Sequence, residues 1–277
     1  MNCNIIIYYI DKKTNNICPT TTIDFYVVGK GSFGKVNLCL HKLTGKLLAM
    51  KSLPIQYLST KGNKDKFYNE IEMLRMLKHK NVIRLYETFK AKNLLIIVLE
   101  LCGGGNLLDY IKKRKTIAEP VAKIAFKQIL EAVAYCHSKG ITHRDIKLEN
   151  ILINEEGEIK LCDFGVSKRF TKGELLNERC GTLIYIPPEM FLETPYDGTL
   201  SDVWSLGIVL YIMLYGNLPF QGDGIGVLKE KIISDKVPLR NKISNTARKL
   251  ITRMLSKDPS SRPSVKGIDG CLDARSR

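Results

Sequence analysis

His143-Arg144-Asp145-Ile146-Lys147-Leu148-Glu149-Asn150 sets an acid, a cation and an amide close together, between a helical stretch and the apolar run Ile151-Leu152-Ile153. Asp145 is a candidate to accept a hydroxyl proton or to orient the hydroxyl. Lys147 could neutralise charge on a transferring phosphoryl group, and Asn150 could bind a metal. A second apolar run, Ile159 to Cys162, ends on Asp163-Phe164-Gly165, where Asp163 is a candidate second metal ligand. Magnesium takes few protein carboxylates and completes its shell with phosphate oxygens and waters, so a sparse pair is compatible with it.

Nearer the N-terminus, Gly29-Lys30-Gly31-Ser32-Phe33-Gly34-Lys35-Val36 reads G-x-G-x-x-G-x-V. Glycines let backbone N–H groups approach phosphate without a Cβ clash. The motif alone also suits a plain glycine hairpin or a dinucleotide site. A strand follows it here, where a dinucleotide site would open a helix. Ala49-Met50-Lys51 comes next, and a lysine inside an apolar strand is costly unless it is paired or reaches the surface. Glu70, on an amphipathic segment, is the expected partner of Lys51.

The elements that must hold these residues follow from periodicity. Phe25 to Val28, Val36 to Leu40, Leu47 to Lys51 and Leu94 to Glu100 read as strands. Ile5 to Ile10 could add an edge strand to the same lobe, pack on it, or be poorly ordered. Phe67, Ile71, Leu74 and Leu77 recur at helical spacing. Beyond Gly103-Gly104-Gly105 the pattern turns helical. A helix opens at Pro120 and closes at Gly140, another runs from Trp204 to Leu214 and is apolar nearly all round, and a third covers Ala247 to Met254. The glycines at 103–105 mark the border between a small sheet-rich lobe and a larger helical one.

In order and spacing, these motifs resemble the eukaryotic protein kinase family over roughly residues 22 to 265. The resemblance implies an α+β, two-lobed fold: a small antiparallel sheet lobe with one helix (22–101), then a larger, mostly helical lobe (102–277), behind an N-terminal extension (1–21). It implies ATP and Mg2+ as cofactors. Val28, Gly29, Lys30, Gly31, Ser32, Phe33, Gly34, Lys35 and Val36 would cover the nucleotide. Lys51, paired with Glu70, would hold the α- and β-phosphates, and Asn150 with Asp163 the metal. Glu100, Leu101 and Cys102 would lie beside adenine, with Leu99 as gatekeeper and with Val36, Ala49 and Leu152 sandwiching the ring. Glu149 joins this set. Asp145 would be the catalytic base, and Leu74, Leu85, His143 and Phe164 a regulatory stack. Asp202 would brace the catalytic loop, and Arg262 would pair with Glu189.

Lys147 two residues after Asp145, and Thr182 after Gly181, are similar to serine/threonine rather than tyrosine kinases. Tyr196 to Phe220 resembles the calcium/calmodulin-dependent and AMP-activated group. The expected function is therefore transfer of the γ-phosphate of ATP to serine or threonine hydroxyls of protein substrates. The alternative is a pseudokinase scaffold, which the presence of Lys51, Asp145 and Asp163 disfavours.

Several positions depart from the family pattern. Pro187-Pro188-Glu189 replaces A-P-E, Leu183 stands where a proline is usual, and Asn106 replaces a glutamate that relatives use on the ribose and on a basic substrate residue. Glu149 and Glu230 remain, so a preference for basic residues near the acceptor hydroxyl is weakened rather than removed. From Val265 on the chain is expected to lack the last helix of relatives, or to hold it only truncated or divergent, with no autoinhibitory or calmodulin-binding helix after it. Glu178 occupies a position where many relatives carry a phosphorylatable threonine. A carboxylate there would partly substitute for the phosphate that meets Arg144, giving basal activity without phosphorylation of the activation segment.

The net charge is +15, and residues 42 to 92 alone carry 12 basic and 4 acidic side chains. The basics are interspersed with apolar positions, which suits a solvated face better than a nucleic-acid site, and no nucleic-acid motif accompanies them. Eight cysteines form no C-x-x-C pair, which disfavours zinc and fits free thiols in a reducing compartment. No apolar run reaches membrane-spanning length. The expected place is intracellular, in the cytoplasm, the nucleus or both.

Overall fold

Tyr8–Ile10 (β1) and Ile17–Pro19 (β2) pair with each other, Tyr9 opposite Cys18, in a two-stranded antiparallel ladder. Of the expected placements, this segment takes the packed one: it pairs within its own hairpin and lies near Gly34–Leu40 without extending the main sheet. The computed structural model describes residues 8–10, 17–19, 27–31, 34–41, 44–240 and 242–273. Ile5 to Ile7, Phe25 and Tyr26, Ser32 and Phe33 lie outside them.

The main sheet has five antiparallel strands: Val27–Gly31 (β3), Gly34–Leu40 (β4), Leu47–Pro54 (β5), Leu85–Ala91 (β6) and Leu94–Glu100 (β7), in the order β3-β4-β5-β7-β6. Side chains alternate between its faces. Leu48 and Met50 point to one core, with Cys39, Ile96 and Val98. Leu53 points to the other, against Phe67, Ile71 and Ile97. Phe67, Ile71 and Leu74 lie on the buried face of Lys61–Met76 (α1), the one α-helix among the described residues of this unit, with Tyr57 and Leu58 of a short 3-10 turn packed beside it. Lys51 shares the Leu53 face of β5 and is thereby aimed at α1. Burial pushes the Cys39 thiol up to about 11, so it stays protonated among its apolar neighbours.

β6 was not legible as a strand. It is an edge strand with no fully buried side chain, and the exposed Tyr86, Glu87 and Lys90 interrupt any apolar run.

The described residues divide into two compact units, 1–78 with 83–103, and 79–82 with 104–277. In the second, Leu107–Arg114 (α2) is capped by Asn106, whose Oδ1 accepts from Asp109 N–H at 2.8 Å. Glu119–Ser138 (α3) carries Pro120 in its first turn. Short ladders join Ile141–Thr142 (β8) to Lys168–Arg169 (β11), and Ile151–Ile153 (β9) to Ile159–Leu161 (β10). Pro188–Phe191 (α4) precedes Gly198–Tyr215 (α5), which Asp197 caps through Thr199 N–H. α5 is long and apolar enough to cross a membrane, but 83% of it is buried inside the protein, where it forms the core of this unit. Ile225–Ser234 (α6) and Asn245–Met254 (α7) follow.

The chain from Val265 corrects the sequence reading. It forms a helix, Val265–Asp273 (α8), whose first turn is closed by Gly267 N–H donating to Ser264 Oγ at 3.2 Å. Gly267 and Gly270 lower its intrinsic propensity, which hid it in the sequence. Burial of Val265 and Ile268, 3% and 0% exposed, outweighs that cost.

Candidate active site

In the first unit, Lys51 Nζ donates to both carboxylate oxygens of Glu70 at 2.8 Å, and the two residues are only 5% and 2% exposed. A buried ammonium needs such a partner. Val36 stands opposite Lys51 on β4, and Ala49 opposite Leu99 on β7. Val28, Gly29, Lys30 and Gly31 lie on β3, with Gly34, Lys35 and Val36 on β4, and Gly31 pairs with Gly34. Glu100 is tied to the β6 start: its N–H donates to Arg84 O at 2.9 Å, and its Oε2 accepts from Arg84 N–H at 3.3 Å. Cys102 follows at the border of the unit.

In the second unit, the loop after β8 carries Asp145, Lys147, Glu149 and Asn150. Lys147 Nζ donates to Asp145 Oδ2 at 2.7 Å and to Thr182 Oγ1 at 2.8 Å, and Thr182 Oγ1 donates to Asp145 Oδ1 at 2.8 Å. This closed triangle joins residues far apart in sequence. Asn150 Nδ2 donates to Asp145 O at 2.9 Å and to its Oδ2 at 3.2 Å. That fixes the amide so that Oδ1 is its outward atom. Asn150 O accepts from Cys162 N–H at 2.9 Å, which sets Asp163 beside it. An amide oxygen and a carboxylate are hard oxygen donors, the kind magnesium takes alongside phosphate. Leu152, on β9, bridges to Asn106.

The loop is braced from beneath. Asp202, on α5 and fully buried, accepts from His143 N–H at 2.9 Å, Arg144 N–H at 2.8 Å and His137 Nε2 at 2.8 Å. Burial alone would raise the Asp202 carboxyl. The hydrogen bond and charge of His137, with the backbone hydrogen bond of His143, outweigh it and hold the carboxyl below its ordinary value. His143 Nε2 lies 3.0 Å from Cys162 O and its Nδ1 3.3 Å from Asp145 N, which assigns the proton to Nε2. Its ring meets Phe164 edge to face at 4.8 Å. Leu74 and Leu85, the other members of the expected stack, belong to the first unit.

Arg144 Nε donates to Val166 O at 2.7 Å and Nη1 to Glu178 Oε2 at 3.4 Å. Lys168 Nζ donates to Glu178 Oε1 at 3.0 Å, and Tyr196 Oη donates to Glu178 O at 2.8 Å. The Lys168 hydrogen bond, more than the Arg144 charge, holds the Glu178 carboxyl below its ordinary value. Glu189 and Arg262 form a buried bidentate pair at 2.7 Å. Sequence reasoning missed His137, Lys168 and Tyr196. No local pattern marks them, because each acts through a residue distant in sequence, His137 being 65 positions from Asp202.

The protein kinase domain family matches residues 24–270. The chain belongs to that family. It is 40% identical over 244 residues to CBL-interacting protein kinase 21 of Oryza sativa subsp. japonica, covering 87% of this chain and 46% of that protein. It is 38% identical over 244 residues to CBL-interacting serine/threonine-protein kinase 1 of Arabidopsis thaliana, covering 87% and 55%. To serine/threonine-protein kinase SIK1 of Mus musculus it is 37% identical over 250 residues, covering 89% and 32%. The chain thus spans about half the length, or less, of these relatives. Their names agree with the serine/threonine reading of Lys147 and Thr182. In this kinase domain the second unit brings Asp145, Lys147, Asn150 and Thr182 together, and the first brings Lys51 to Glu70.

Proposed function

We propose that this kinase domain transfers the γ-phosphate of Mg·ATP to serine or threonine hydroxyls of protein substrates. The observation that carries the reading is the Asp145–Lys147–Thr182 triangle, closed at 2.7–2.8 Å. Three donors, from Lys147, Asn150 and Thr182, surround the Asp145 carboxylate and fix its orientation. It aligns the acceptor hydroxyl and takes the proton as the new O–P bond forms and the bond to the ADP oxygen breaks. Lys147 offsets charge on the moving phosphoryl group. Lys51, oriented by Glu70, would steady the α- and β-phosphates, while Asn150 Oδ1 and Asp163 would hold magnesium, which supplies charge neutralisation on the phosphates. Glu149 and Glu230, both exposed, favour basic residues around the acceptor hydroxyl. The free thiols of Cys39 and Cys136 suit a reducing compartment, the cytoplasm or nucleus.

The test is a peptide array with Mg·ATP, comparing the wild type with Asp163→Asn. Transfer should fall at least about 100-fold in the variant. Equal transfer by both proteins overturns the reading.

Glu178 favours activity without phosphorylation of the activation segment. Its carboxylate already meets Arg144 and Lys168, the two cations a phosphate would recruit. Phosphatase-treated protein should retain turnover, and Glu178→Ala should lose several-fold of it. Turnover unchanged by the substitution sinks this part of the reading.

A further inference from the structure

Residues 42 to 92 hold a surplus of eight positive charges that the Lys51–Glu70 pair does not use. Part of it converges on one place in the first unit. The last turn of α1 and the start of β6 wall a cavity of about 470 Å3. Its floor holds buried Leu74 and Leu77, and half-buried Leu85 adds the leucine surface open to a ligand. Its rim carries exposed Arg75, Lys78 and Arg84 against one carboxylate, Glu87.

Among the described residues no carboxylate pairs with the Arg75 or Arg84 guanidinium. Arg75 Nη2 donates to the neutral Thr88 Oγ1 at 2.9 Å, and Arg84 lies 5.4 Å over the Tyr86 ring. Lys46 approaches the same ring at 5.3 Å and donates to its hydroxyl at 2.9 Å. Tyr86 is 38% exposed and held between two cations, an aromatic surface fixed at the cavity edge.

We propose that this face is a docking site for an acidic peptide segment of a partner protein, which seats one apolar side chain on the leucine floor and sets carboxylates on Arg75 and Arg84. Guanidinium forks bind carboxylates through paired hydrogen bonds. Three cations crowded around one carboxylate leave a net positive rim, and an acidic ligand relieves the repulsion between the Arg75 and Arg84 guanidiniums. A nucleic-acid backbone fits poorly, because it would track a basic stripe and leave a leucine-floored pocket unfilled. The proposal does not depend on phosphoryl transfer.

Fluorescence anisotropy on the full chain tests it. The probe is a fluorescein-labelled ten-residue peptide with three glutamates flanking one phenylalanine. The control replaces each glutamate by glutamine. The glutamate probe should bind at least about tenfold more tightly, and Arg75→Ala/Arg84→Ala should weaken it by a similar factor, a change of about 1.4 kcal/mol. Tyr86→Ala should weaken it several-fold, and Lys229→Ala, on α6, should leave it unchanged. The double variant should keep the wild-type melting temperature, since both side chains are exposed. Equal binding of the two probes, undiminished binding by both the double variant and Tyr86→Ala, or tighter binding of an RNA duplex through the same residues would each overturn the proposal.

Discussion

The backbone N–H of Arg144 donates to Asp202 Oδ1 at 2.8 Å, at a residue whose φ is +64°. A non-glycine residue in that region is strained by about 1–3 kcal/mol. The buried carboxylate offsets the strain and holds Asp145, the next residue, in place. Asp202→Asn keeps the shape but turns a donor toward N–H groups. It should cost about 3–5 kcal/mol at neutral pH, as removal of one member of a buried charged network does. The folded-state pKa of Asp202 lies below its ordinary value, so this stabilisation is full above the unfolded value and is lost as the pH falls through the folded one. Urea melts should therefore show a wide gap between wild type and variant at pH 7 and a narrower one below about pH 4. An equal gap at both would refute the linkage.

The Lys51–Glu70 pair separates stability from chemistry. Lys51→Met alone strands a buried carboxylate and should cost about 3–5 kcal/mol. Lys51→Met/Glu70→Leu removes both charges and should recover most of that loss in urea melts. Turnover should stay abolished in both. Recovery of turnover in the double variant would show that Lys51 serves only packing.

Lys51 and Glu70 were legible because a charge in an apolar strand demands a partner, and only one nearby amphipathic helix offered one. The Asp145 octet was legible because its residues sit within one loop. The closure onto Thr182 was not, since that bond depends on where the activation segment folds back, 37 positions away. His137 and Tyr196 read as ordinary helix and loop residues until Asp202 and Glu178 are placed beside them. β6 stayed hidden because an edge strand has little need of apolar runs. The α5 core was plain from its nearly all-round apolar pattern alone.

Thr182 should act through its hydroxyl. Thr182→Ala removes the acceptor for Lys147 and the donor to Asp145, and should lower kcat about 10- to 100-fold. Thr182→Ser keeps both bonds and should stay within a few-fold of wild type. Steady-state kinetics on one peptide decides this, and equal loss in both variants would assign the residue to packing.

Gly181 allows that closure. Its φ is +106°, and an added Cβ would lie 2.7 Å from Arg144 O, inside contact distance of backbone. Gly181→Ala must therefore move either the activation segment or the catalytic loop. It should lower kcat at least as far as Thr182→Ala while leaving the melting temperature of the α5 core nearly unchanged. Wild-type kcat in this variant would mean that the turn relaxes without breaking the Asp145–Thr182 bond.

α8 gives a prediction of opposite sign. An added Cβ at Gly270 meets nothing within 4 Å, and one at Gly267 meets only Ser264 Oγ at 3.5 Å and Pro263 Cβ at 3.8 Å, ordinary contacts. Glycine inside a helix costs about 0.5–1 kcal/mol relative to alanine. Gly270→Ala should therefore stabilise the chain by about that much, raising the melting temperature by roughly 1–4 °C. Gly270→Pro should do the reverse, removing a helical hydrogen bond at a cost of about 3 kcal/mol. If neither substitution moves the melting temperature, Val265–Asp273 does not contribute a helix to the folded unit. A rise with alanine and a fall with proline together require one, since only a formed helix responds to both in opposite directions.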